Sequence, residues 1–152
     1  MLKNILIALT LVLFTACSSD DAPKDYTEEN DQEIQAYITA NGLFAQSSSS
    51  GLYYVIDNPG TGVHPEGTDR VKVAYTGYLI DGTIFDESTD EGVSFRYLDS
   101  LISGFAEGIT YFKEGGSGKL LIPSHLAYGS NSNGNIPAGS VLIFDIELIY
   151  VN

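Results

Sequence analysis

The stretch Val71-Lys72-Val73-Ala74-Tyr75-Thr76-Gly77-Tyr78-Leu79-Ile80-Asp81-Gly82-Thr83-Ile84-Phe85-Asp86 decides how this chain folds. Val71, Val73 and Tyr75 alternate with Lys72 and Ala74, the period of two that sends successive side chains to opposite faces of a strand. Asp81-Gly82 then separates Tyr78-Leu79-Ile80 from Thr83-Ile84-Phe85. That dipeptide suits a two-residue hairpin turn, whose central positions require positive φ. Two antiparallel strands are therefore expected.

On either side of it, Leu52 to Ile56 is rich in strand formers and stops at Asn58-Pro59-Gly60, and Phe95, Tyr97 and Leu98 suggest a further short strand. Phe105, Ile109 and Phe112 fall at i, i+4 and i+7, one apolar face of a helix that is expected to end at Gly115-Gly116. Lys119 to Ile122 and Val141 to Val151 supply the last strands, the latter placing Leu142, Phe144, Ile146, Leu148 and Tyr150 on one face. Upstream, Asn30 and Glu33 have the spacing of a capping box, Ile34, Tyr37 and Ile38 fall at helical spacing, and Gly42 can close a short helix. The fold class is α+β, a mainly antiparallel sheet wrapped around one helix, with a short N-terminal helix before it.

The 152 residues, 43% of them hydrophobic, hold one ordinary domain with short appendages. Seven Lys and Arg against 20 Asp and Glu give a net charge of -13, which repels phosphate backbones and argues against nucleic acid as a partner. Met1-Leu2-Lys3-Asn4 and the apolar run Ile5 to Phe14 have the layout of a secretory signal, too short for the roughly 20 apolar residues of a membrane span. Phe14-Thr15-Ala16-Cys17 resembles a lipobox, which makes Cys17, the single cysteine, the expected lipidation site. The expected organisation is a signal peptide at 1–16, an acidic tether at 17–31, a short helix and Ser-rich joint at 32–50, and the main domain at 51–152.

Conventional catalytic motifs do not survive inspection. Gly115 to Lys119 lacks the first glycine of a phosphate-binding loop, with Lys113 in that place, and Leu120 stands where a metal-binding hydroxyl would be. Asp86, Ser88, Asp90 and Glu91 miss the glycine and closing glutamate of a calcium loop. His64 and His125 have neither a second histidine at helical spacing nor a nucleophile motif, and read as surface residues. No metal and no cofactor are expected. What stands out is aromatic: ten Tyr and seven Phe, with no Trp. Composition and pattern leave open a tyrosine-rich β-domain whose aromatics simply fill a core.

From about Gly51 to Tyr150 the sequence resembles the FKBP-type peptidyl-prolyl cis-trans isomerases. The resemblance is carried by Ala74-Tyr75-Thr76-Gly77, Asp81-Gly82-Thr83-Ile84-Phe85-Asp86, Leu101-Ile102-Ser103-Gly104-Phe105, Ile122-Pro123-Ser124-His125-Leu126-Ala127-Tyr128-Gly129, Ile136-Pro137 and Leu142-Ile143-Phe144-Asp145-Ile146-Glu147-Leu148. It implies a half-wrapped antiparallel sheet with a short helix across its concave face and a proline pocket between them. It assigns catalytic positions to Tyr75, Phe85, Asp86, Ile102, Tyr128 and Phe144, and substrate-binding positions to Phe95, Leu101, Phe105 and Ile136. Phe105 stands where tryptophan is usual in the family, the segment from Tyr97 to Leu101 is short, and the loop Ser130 to Asn135 is more polar than in familiar members.

The function so implied is acceleration of rotation about Xaa-Pro bonds in exported or envelope proteins, from a lipid anchor on a bacterial membrane, the outer membrane first among them. Proline-containing segments are the expected partners and macrolide inhibitors are candidate ligands. The alternative is a proline-directed binding module or chaperone with little catalytic activity.

Overall fold

The computed structural model describes residues 23–95 and 98–152. The signal-like run, Cys17 and Tyr97 lie outside the described residues. Helix α1 (Thr27–Asn41) precedes strands β1 (Gln46–Ser47), β2 (Tyr53–Asn58), β3 (Val71–Leu79), β4 (Ile84–Glu87) and β5 (Val93–Phe95). Helix α2 (Ser103–Ile109), β6 (Gly116–Ile122) and β7 (Leu142–Val151) complete the chain. The seven strands form one antiparallel sheet in the order β1-β2-β6-β7-β3-β4. Strand β5 pairs with Val71 to Val73 of β3, beyond the stretch that pairs with β4.

The β3–β4 hairpin forms, but with a three-residue loop in place of the two-residue turn: the Leu79 N–H donates to the Thr83 carbonyl, the Gly82 N–H donates to the Leu79 carbonyl, and of Asp81 and Gly82 only Gly82 has positive φ, at 85°. Between β4 and β5 the ladder on β3 is continued by Ser88, whose hydroxyl accepts the Tyr75 N–H at 2.9 Å and whose own N–H donates to the Tyr75 carbonyl.

Both faces of the sheet centre are buried. Leu120, Ile122, Leu142 and Phe144 join α2 residues Phe105 and Ile109 in the main core. The intervening Leu121 and Ile143 pack with Val55 under Ile34 of α1, with Tyr37 and Ile38 at the margin. This is why the end of β6, Leu120 to Ile122, and the start of β7, Leu142 to Phe144, read as continuous apolar runs: alternate residues serve different helices. On the α1 side Lys119 bonds both the Tyr78 hydroxyl and Asp145, and burial, ahead of Tyr37 and Asp145, pushes the Tyr78 phenol upward.

Four readings of the sequence are corrected. First, α1 begins at Thr27, so residues 27–31, assigned to the tether, are helical. Asn30 is no cap; it is a fully buried residue inside the helix, because its side chain serves tertiary partners. Second, α2 ends at Ile109 instead of reaching Gly115-Gly116. Tyr111 and Phe112 donate to carbonyls three residues back, so Phe112 stays buried on the same apolar face from a turn. Third, the face of β7 switches near its end. Val73 pairs with Leu148 and Lys72 with Tyr150, leaving Ile149 as an extra residue. Such a bulge reverses the alternation. Tyr150 is consequently exposed and Val151 buried. Fourth, the short strand after the acidic loop is Val93–Phe95, and Leu98 begins a separate 3-10 turn.

Candidate functional site

The aromatic residues meet where α2 leaves part of the sheet uncovered. Tyr75 projects from β3, Phe85 and Asp86 from β4, Phe95 from β5 and Phe144 from β7. With Leu101, Ile102 and Phe105 at the start of α2, and Tyr128 and Ile136 from the β6–β7 connection, they line one open cleft of about 680 Å³. Every position that the resemblance singled out for the pocket lies on this cleft.

Its floor is a set of interlocked ring edges. Phe105 and Phe144 centroids lie 5.0 Å apart, Phe85 and Phe144 5.5 Å, and Tyr75 and Phe105 5.7 Å, all near perpendicular. Phe95 closes the series at 6.1 Å from Phe105. Edge-to-face geometry sets the positive rim of one ring against the negative face of the next. Phe105 and Phe144 are almost wholly buried, while Tyr75, Phe85 and Phe95 are half-buried and keep a surface toward the opening. Phenylalanine at 105 thus fills the floor position with apolar area alone.

Gly77 makes this packing possible. A Cβ there would sit 2.8 Å from ring atoms of both Phe144 and Phe85, closer than carbon atoms can approach without displacement. The residue was legible in the sequence as part of a motif, but its task in admitting the two rings was not.

Polar groups are few and directed. The Tyr75 hydroxyl donates to Asp86 Oδ2 at 2.8 Å. Burial first, then the hydrogen bond and charge of Asp86, push the Tyr75 phenol up to about 12, so it remains a neutral donor at physiological pH. Ile102 precedes the first turn of α2, where helix amides have no intrahelical acceptor, and its carbonyl accepts from Phe105 and Ala106.

The sequence reading missed Ser100, Asn133, Gly134 and Asn135, which also line the cleft. Asn133 and Ile136 exchange two backbone hydrogen bonds of 2.9 Å, a tight hairpin that turns Ile136 inward. Gly134-Asn135 was the available turn signal. His64 and His125 are exposed and point elsewhere: His64 Nδ1 lies 3.0 Å from the Phe112 carbonyl, and His125 Nε2 lies 2.9 Å from that of Ser50. Among the described residues there is no cluster of three or more His, Cys, Asp or Glu suited to a metal.

An antiparallel sheet wrapped about a short helix, with an open aromatic cleft between them, defines an α+β domain with one apolar cleft on its concave face. The sequence model for FKBP-type peptidyl-prolyl cis-trans isomerase matches residues 62–149, and the chain belongs to that family. It is 43% identical over 133 residues to the isomerase FkpA of Aeromonas hydrophila, covering 86% of this chain and 49% of that protein. The FkpA of Escherichia coli K12 is 46% identical over 108 residues, 70% of this chain and 40% of the relative. The chain therefore spans about half the length, or less, of these curated relatives.

The crystal structure of E. coli FkpA superposes with a TM-score of 0.73 at 39% identity, covering 83% of this chain and 61% of that one. A peptidyl-prolyl isomerase structure from Pseudomonas syringae pv. tomato gives 0.71 at 36% identity, covering 88% of this chain and 99% of its own.

Proposed function

We propose that the chain catalyses cis–trans isomerisation of Xaa-Pro bonds, with the aromatic cleft as its active site. The observation that carries this reading is the convergence of Tyr75, Phe85, Phe105 and Phe144 on one open cavity whose polar edge is the Tyr75–Asp86 pair. A peptide bond resists rotation because resonance gives its C–N link double-bond character, with a barrier of about 18–20 kcal/mol. The planar amide is the more charge-separated form. An apolar enclosure that excludes water therefore favours the twisted transition state, in which that resonance is lost. No proton has to move. A thousandfold acceleration asks only about 4 kcal/mol of the site.

In this mechanism Phe85, Phe105, Phe144 and the Tyr75 ring hold the pyrrolidine ring, with Phe95, Leu101 and Ile136 extending the apolar wall. The Ile102 N–H and the Tyr128 hydroxyl donate to substrate carbonyls on either side of the rotating bond. Asp86 fixes the Tyr75 hydroxyl and keeps the polar edge in one orientation. Macrolide inhibitors would occupy the same cleft. The substrates are proline-containing segments of exported or envelope proteins, and a lipidated Cys17 would hold the enzyme at a bacterial membrane, outer membrane foremost.

Cis–trans exchange of a proline peptide, followed by NMR with the full chain, tests the activity. Faster exchange is expected; peptide binding at unchanged exchange would replace the enzyme by a binding module. Fatty-acid labelling tests the anchor: the label should enter the wild type and not Cys17→Ser, and equal labelling of the two would refute it.

A further inference from the structure

Helix α1 lies outside the matched family region, which begins at residue 62, yet one of its side chains is bonded to the β6–β7 connection that carries two cleft residues, Tyr128 and Ile136. Asn30 is fully buried. Its Oδ1 accepts the Ser124 N–H at 2.8 Å, and its Nδ2 donates to the Gly139 carbonyl at 2.9 Å and, more weakly, to Glu33 at 3.3 Å. Ser124 and Gly139 belong to the two limbs of the β6–β7 connection. The limbs also meet directly, the Gly139 N–H donating to the Gly129 carbonyl at 2.8 Å.

The same limbs carry cleft residues. The Ser124 carbonyl receives the N–H groups of Ala127 and Gly129, at 2.9 and 2.7 Å, so both neighbours of Tyr128 are tied to the residue that Asn30 holds. Ile136 stands three residues before Gly139. The Tyr26 ring lies over Gly139 so closely that a Cβ there would come within 2.2 Å of it, which fixes the second limb against the start of α1. A single carboxamide, with a donor and an acceptor side by side on one short stem, thereby satisfies both limbs at once.

We propose that Asn30 is a positioning residue for the isomerase site: from the opposite side of the sheet it sets the Tyr128 hydroxyl and the Ile136 wall where substrate is captured. This rests on the cleft being the active site. Without the amide, the Ser124 N–H and Gly139 carbonyl lose their partner in a buried place, and the two limbs can part to recover hydrogen bonds elsewhere. Tyr128 and Ile136 then sample several positions. Substrate capture suffers, whereas the floor formed by Phe105 and Phe144, held by the sheet and α2, stays in place.

Steady-state isomerisation by Asn30→Ala, Tyr128→Phe and the double variant, in the full chain, tests this. Asn30→Ala should raise KM about three- to tenfold with kcat nearly unchanged, the scale of one lost hydrogen bond. Tyr128→Phe should cost clearly less in the Asn30→Ala background than in the wild type. Ile34→Val, a mild destabilisation of α1 that keeps the Asn30 hydrogen bonds to Ser124 and Gly139, should leave KM unchanged. An unaltered KM in folded Asn30→Ala, full additivity with Tyr128→Phe, or an equal rise in Ile34→Val would each overturn the proposal.

Should Asn30→Ala not fold, hydrogen exchange on the wild type decides. The Ser124 amide should exchange together with the amides of α1; exchange of Ser124 much faster than α1 would refute the coupling. An inactive wild type would remove the isomerase reading together with this one, whereas an active wild type with an indifferent Asn30 variant removes this one alone.

Discussion

The two faces of the central sheet are built from the same kinds of residue and end up doing different work. On one face Leu121, Ile143 and Val55 are sealed beneath α1, a helix of 15 residues whose Ile34 is completely buried. On the other, Leu120, Ile122, Leu142 and Phe144 meet α2, which has seven residues and covers only part of the surface. The open remainder is the aromatic cleft. The apolar strands are alike; the length of the covering helix decides whether a face becomes core or site. Gly104 and Gly108 bring α2 tight against β6, where added Cβ atoms would meet Ile122 at 2.3 Å and Leu120 at 2.5 Å, so the helix sits low on the sheet.

Substitutions that separate site from core can break this contrast. The largest effect is expected for Phe144→Ala, which opens both the core and the cleft floor: about 3–5 kcal/mol of stability should be lost, and activity should fall even in the folded fraction. Thermal unfolding read beside isomerisation rate checks both. Leu121→Ala, one residue along β6 from Phe144's partner Leu120 and facing α1, should cost about 2–5 kcal/mol of stability and leave kcat/KM per folded molecule unchanged. A matching loss of catalysis there would erase the distinction between the faces.

Gly77→Ala tests the cleft from its back wall. The new methyl must push the Phe85 and Phe144 rings, at a cost of about 1–3 kcal/mol, and the fold should survive while kcat/KM drops. Unchanged kinetics would mean that the position of those rings is not critical. Tyr128→Phe is the gentlest change. Losing one hydroxyl should reduce kcat/KM by about 0.5–1.5 kcal/mol, with no change in the thermal midpoint.

Legibility in the sequence follows the same division. The β3–β4 hairpin and the cleft residues could be read because alternation and an Asp-Gly turn signal are local, and because the family's motifs lie on that face. The end of β7 could not, since a single extra residue at Ile149 moves Tyr150 out and Val151 in, and nothing local announces it. Asn30 misled for a related reason: its spacing to Glu33 imitates a helix cap, whereas its real partners are 94 and 109 residues away. The turn at Asn133 to Ile136 was legible in principle, but a polar, glycine-bearing stretch was passed over as a plain loop.

Catalysis by apolar enclosure, with no proton transferred, is the central claim, and the pH dependence of kcat/KM addresses it most directly. The Tyr75 phenol, held up to about 12, keeps its proton across the working range, and both histidines lie outside the cleft. The account predicts a profile flat to within about twofold between pH 6 and 9 for the full chain acting on a proline peptide. A bell-shaped profile with a limb that disappears in His125→Ala would place a titrating group in the reaction and contradict it.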